Sequence, residues 1–91
     1  MSQSKKQLPV PPEAQSDDAH ELLRVWDING NQHVAISNDL GGRPKEFGQM
    51  LAQIALHSSV VYEKNSGQKS ADCLREILMG FKEEVSKNVG H

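Results

Sequence analysis

The dipeptide Asn29-Gly30 constrains this chain more than any other pair of its residues. Strand-like runs flank it on both sides, Glu21 to Ile28 and Asn31 to Ser37, with valine, isoleucine and tryptophan in their interiors. A two-residue turn of type I′ needs positive φ at both central positions, which asparagine tolerates and glycine adopts without steric cost. The pair therefore predicts a tight β-hairpin, and the turn sets its register. With Ile28 facing Asn31, Trp26 lies opposite His33, Val25 opposite Val34 and Leu23 opposite Ile36. One face then carries Leu23, Val25, Val34 and Ile36. The reverse face carries Leu22, Arg24, Trp26, Ile28, His33 and Ala35, unusually apolar for a solvated surface.

Beyond the hairpin the apolar period changes from two to between three and four. Asn38 to Arg43 reads as a loop, and Pro44 suits the first turn of a helix, where its missing N–H costs nothing. Phe47, Leu51, Ile54, Ser58 and Val61 recur at helical spacing, with Met50, Ala55 and Tyr62 widening the stripe, and predict a helix from Pro44 to about Lys64. Asn65-Ser66-Gly67 supplies the stop signals. A second helix follows, with Ser70 as N-cap, Asp72 at the positive end of the dipole, and an apolar stripe of Leu74, Ile77, Leu78, Phe81 and Val85 that frays near Asn88. So short a loop makes the two helices antiparallel neighbours, and their stripes are expected to cover the Leu23/Val25/Val34/Ile36 face together. The fold class is α+β: an antiparallel two-stranded β-hairpin followed by two antiparallel α-helices, ββαα in order, with a larger sheet on dimerisation.

Length and composition bound the rest. Ninety-one residues, with 36% hydrophobic and 24% charged, describe one soluble globular domain, expected over residues 20–87. Residues 1–19 are polar, hold three of the four prolines and lack either apolar periodicity, so they read as a disordered or extended tail; residues 88–91 read as a frayed C-terminus. Pro9-Val10-Pro11-Pro12 has polyproline character and is taken as a stiff spacer rather than a docking ligand. Only Trp26, Phe47, Tyr62 and Phe81 supply large aromatic area, so the core is thin. Ordering each residue costs on the order of 1–2 kcal/mol, and stability is marginal unless subunits associate.

The net charge of −2, with both signs mixed along the chain, provides no basic stripe for nucleic acid. No run approaches the apolar length of a membrane span, and the segment after Lys5 and Lys6 is no signal core. Cys73 stands alone, which excludes an internal disulfide and fits a reducing compartment, so the expected location is the cytoplasm.

Candidate sites are few. His20, His33, His57 and His91 stand at no metal-ligand spacing from one another or from Cys73, and neither a metal nor any other cofactor is expected. His57 and Cys73 would form a nucleophile–base pair only if the helices brought them together, and no third orienting group is apparent; a buried, inert thiol is the plainer reading, and no catalytic residue is assigned. The carboxylates of Asp17-Asp18 and Glu83-Glu84 read as solvated charges. Gly41, Gly42, Arg43 and Lys45 combine backbone access, a helix N-terminus and two cations, an arrangement that could take a small anion or nucleotide, although the spacing matches no phosphate-binding fingerprint. The leading candidate is an interface on the reverse face of the hairpin, made of Leu22, Arg24, Trp26, Ile28 and His33. Two unpaired sheet edges with Arg24 as the one guarding charge add to that reading, and the expected partner is a second copy or another protein. Folding of the tail or a loop over Trp26 is the competing outcome.

The segments Leu23-Arg24-Val25-Trp26, Pro44 with Phe47-Gly48 and Leu51-Ala52, then Ala55, His57 and Tyr62 resemble a bacterial family of small uncharacterised proteins catalogued as a domain of unknown function. The likeness spans roughly Glu21 to Ser86, and Phe47 replaces the tryptophan common in the family. The resemblance implies a compact bacterial domain with the same order of elements, and it implies no activity, cofactor or catalytic residue. The expected function is that of a non-enzymatic interaction or homodimerisation module.

Overall fold

The structure is a computed structural model and describes residues 7–89. The first six residues of the expected tail, and Gly90 and His91 of the expected frayed end, lie outside the described residues. The order of elements is a 3-10 helix, Pro12–Gln15, then strands β1, Leu23–Ile28, and β2, Asn31–Ile36, then helices α1, Pro44–Ser66, and α2, Ser70–Asn88. This is the predicted α+β arrangement. The chain divides between Gly41 and Gly42 into two compact units.

In the first unit the hairpin has the register that the turn dictates: Ile28 pairs Asn31, Trp26 pairs His33, Val25 pairs Val34 and Leu23 pairs Ile36. Asn29 and Gly30 take φ of 55° and 86°, the two positive values of a type I′ turn. The turn is also held by Asp27, whose Oδ1 accepts the Gly30 N–H at 3.0 Å. Ser37 N–H donates to the Leu22 carbonyl at 2.8 Å and extends the ladder by one rung. Residues 7–19 are not extended throughout. The one-turn 3-10 helix begins at Pro12, where Pro supplies a pre-set φ, and closes with Ala14 N–H to the Pro11 carbonyl at 2.9 Å. The end of the tail is tied down by His20, whose Nε2–H donates to the Asp39 carbonyl at 2.9 Å and lies 3.1 Å from Ser37 Oγ.

The second unit is a helical hairpin. Pro44 occupies the first position of α1, and Gly67 ends it with φ of 80°, its N–H donating to the Glu63 carbonyl at 2.8 Å. Gly67 to Lys69 form the link to α2. Ser70 is not the N-cap: Lys69 holds that position without a side-chain hydrogen bond, and Ser70 N–H donates to Glu63 Oε1 at 3.2 Å, so the preceding helix provides the acceptor a capping hydroxyl would have supplied. The helices pack on each other, with Ser59 and Cys73 buried and Leu51, Ala55, Leu74 and Ile77 half-buried. Ser59 answers its burial with a 2.6 Å bond to the Leu56 carbonyl. Among the described residues no helix is long and apolar enough to cross a membrane.

Within the hairpin unit the face of Leu23, Val25, Val34 and Ile36 has no second layer of its own. Val25, Val34 and Ile36 are 56%, 56% and 61% exposed. A two-stranded ribbon lends each residue a lateral neighbour on one side only.

Candidate functional site

The surfaces with a capacity to bind are built mainly in the hairpin unit. Beside β1 lies an open groove of about 590 Å³, lined by Leu23, Arg24, Val25 and Trp26 of the strand and by Pro9 and Pro11 of the upstream segment. Consecutive strand residues point to opposite faces, so a groove that touches all four follows the outer edge of the strand. Trp26 and Leu22 are half-buried. Ile28 and His33, the other predicted contact residues on that face, are exposed. Arg24 is engaged locally: its Nη2 and Nε donate to Glu21 Oε1 and Oε2 at 2.7 and 3.0 Å, a two-pronged pair. The Arg24 hydrogen bonds hold the Glu21 carboxyl below its ordinary value of 4.5.

The outer edge of β2 differs. All six of its residues are exposed, and Asn31-Gln32-His33-Val34-Ala35-Ile36 contains neither proline nor a formally charged residue. Sequence reasoning treated the two edges as equivalent and missed this difference; the proline run upstream of β1 was the available signal.

The predicted anion loop is divided between the two units. Gly41, with φ of 67°, closes the hairpin unit, its N–H donating to Asp39 Oδ1 at 3.0 Å. Gly42, Arg43 and Lys45 open the helical one. There the positive end of α1 is already answered from within the chain, because Glu46 Oε1 accepts the Arg43 N–H at 3.0 Å. The same oxygen lies over Gly42, where an added Cβ would meet it at 2.5 Å. An incoming anion would have to displace a resident carboxylate.

Cys73 is 5% exposed and lies beside a cavity of about 360 Å³ that Tyr62, Gln68, Glu76 and Ile77 also line. His57, the partner suggested by sequence, is exposed and is not part of that lining. The thiol donates to the Gln68 carbonyl at 3.7 Å. Burial, and then the carboxylates of Glu76, Asp72 and Glu63, push its pKa above the ordinary 9.0. That environment is the reverse of one that makes a nucleophile. Among the described residues no cluster of three or more His, Cys, Asp or Glu side chains could hold a metal ion.

A family model described as "Domain of unknown function (DUF5076)" matches residues 7–89. A solved structure described as that of a "putative pyruvate dehydrogenase" from the photosynthetic bacterium Rhodopseudomonas palustrus CGA009 is 30% identical to this chain. It superposes with a TM-score of 0.77, over 89% of this chain and 83% of that one. Comparison with curated proteins gives no match.

Proposed function

The chain belongs to the DUF5076 family, and from that premise we propose that it is a non-enzymatic protein-association module of a bacterial cytoplasm, acting as a homodimer. One observation carries the reading. Among the described residues Cys73 is the only hydrophobic one that is buried, while Val25, Ile28, Val34 and Ile36 on the hairpin and Ile54, Val60, Leu78 and Phe81 on the helices stay exposed. Each well-buried aliphatic or aromatic side chain contributes on the order of 1.5–3 kcal/mol, and a chain that leaves so many in water lacks the apolar burial of a self-sufficient domain. A second copy supplies the missing contact. The exposed Ile28 and His33 and the half-buried Leu22 and Trp26 belong to the contact surface, with Arg24 at its margin, because its guanidinium is already held by Glu21.

A catalytic reading would rest on Cys73, whose surroundings keep it protonated. The dehydrogenase in the description of the solved relative is said of that protein; among the described residues here neither the Cys73 thiol nor a metal-binding cluster supports it. Sedimentation velocity on the full chain from low to high micromolar concentration tests the proposal. A dimer that gains population with concentration supports it, and a strict monomer across the range refutes it.

A further inference from the structure

We propose that the outer edge of β2 is the self-association site, where a second copy adds its own β2 antiparallel across a two-fold axis at Val34 and makes a four-stranded sheet. This rests on the association reading and moves the seam between copies to the β2 edge, where His33 lies, with Trp26 and Ile28 one strand away.

The alternation of an antiparallel ladder supports the assignment. The Ser37–Leu22 rung and the two-residue turn set which residues spend their backbone groups inside the hairpin: Asn31, His33 and Ala35 face β1. The N–H and C=O groups of Gln32, Val34 and Ile36 therefore point outward, an unpaired row that water alone satisfies. The opposite edge strand, β1, carries Arg24 and Asp27 and borders a groove that Pro9 and Pro11 also line, residues with no N–H to offer a pairing strand. β2 has no such screen.

Self-pairing is also chemically matched. A two-fold axis at Val34 sets Gln32 opposite the second copy's Ile36, and no like charges meet, because the strand holds no formal charge. Arg24 and Asp27 sit on β1, one strand away. The exposed Val25 and Val34, cross-strand neighbours, would align with their counterparts into one row of four valines on a single face. A two-stranded hairpin is marginal in water, whereas three or more strands with an apolar face reach independent stability. Edge pairing thus gives the hairpin both the strands and the continuous face it lacks alone.

The test combines sedimentation with amide hydrogen exchange on the full chain, wild type and Val34→Pro. Proline at this position removes an outward N–H and no bond of the hairpin ladder. The expected result is a dimer in which the Gln32, Val34 and Ile36 amides become protected as concentration rises, and a dissociation constant raised roughly tenfold or more by Val34→Pro. Retained protection of the His33 and Ala35 amides shows that the variant still forms its hairpin; if that is lost, Val34→Lys, which places a like charge on the axis, replaces it and is expected to weaken the dimer in the same direction. A dimer whose Gln32, Val34 and Ile36 amides exchange freely, or one indifferent to the intact variant, overturns the edge assignment and leaves the association reading standing. A monomer at all concentrations overturns both.

Discussion

Cys73 shows how one buried side chain can be read from its neighbours. Its thiol sits between helices, with Glu76, Asp72 and Glu63 near enough to oppose a thiolate. Alkylation is therefore expected to run slower than for a cysteine in a model peptide at neutral pH, and rates with iodoacetamide check it. A raised pKa in the folded state also makes stability depend on alkali. The folded chain keeps its proton where the unfolded chain has begun to lose it, so the contribution is complete below the ordinary thiol value of 9.0 and falls as pH rises past it. Thermal melts between neutral pH and pH about 10 should show that decline, and Cys73→Ala should remove it. Glu21 works in the opposite sense. Its pKa is lowered, so the Arg24 pair contributes above the ordinary carboxylate value of 4.5 and is lost as pH falls below it. An NMR titration should place the Glu21 carboxyl under that value, and Arg24→Ala should return it.

Among the elements, α1 depends on a cap that is not a conventional one. Arg43 occupies the N-cap, where its guanidinium cannot accept a hydrogen bond, so the carboxylate of Glu46 reaches back to the Arg43 amide and provides a side-chain capping bond at that end. Glu46→Ala should destabilise the chain by about 0.5–2 kcal/mol, measured by urea unfolding. The elements themselves were largely legible. Asn29-Gly30 carried the hairpin and its register because a two-residue turn leaves the ladder no freedom, and Pro44 and Gly67 bracketed α1 through backbone rules that hold whatever surrounds them. The candidate sites were less legible. The apolar pattern of Val25, Val34 and Ile36 says that the face wants cover, but not which surface provides it, and their exposure could not be inferred from spacing. That Pro9 and Pro11 line a groove with β1, and that His20 bonds to the Asp39 carbonyl, bring together residues distant in sequence that no local pattern announces.

For the whole molecule, the two edges of the hairpin are unlike, one bordered by the proline-bearing segment and the other open. A chain that lacks residues 1–11 should lose that difference. With both edges free, it is expected to form concentration-dependent species larger than a dimer by light scattering, where the full chain is expected to stop at two. The groove along β1 therefore decides more than what the hairpin can touch. Under the proposed β2 pairing it would make the hairpin monovalent: an isologous contact would consume the one edge left open on each copy, growth would terminate after one step, and a strand able to nucleate a fibre would become a device for counting to two.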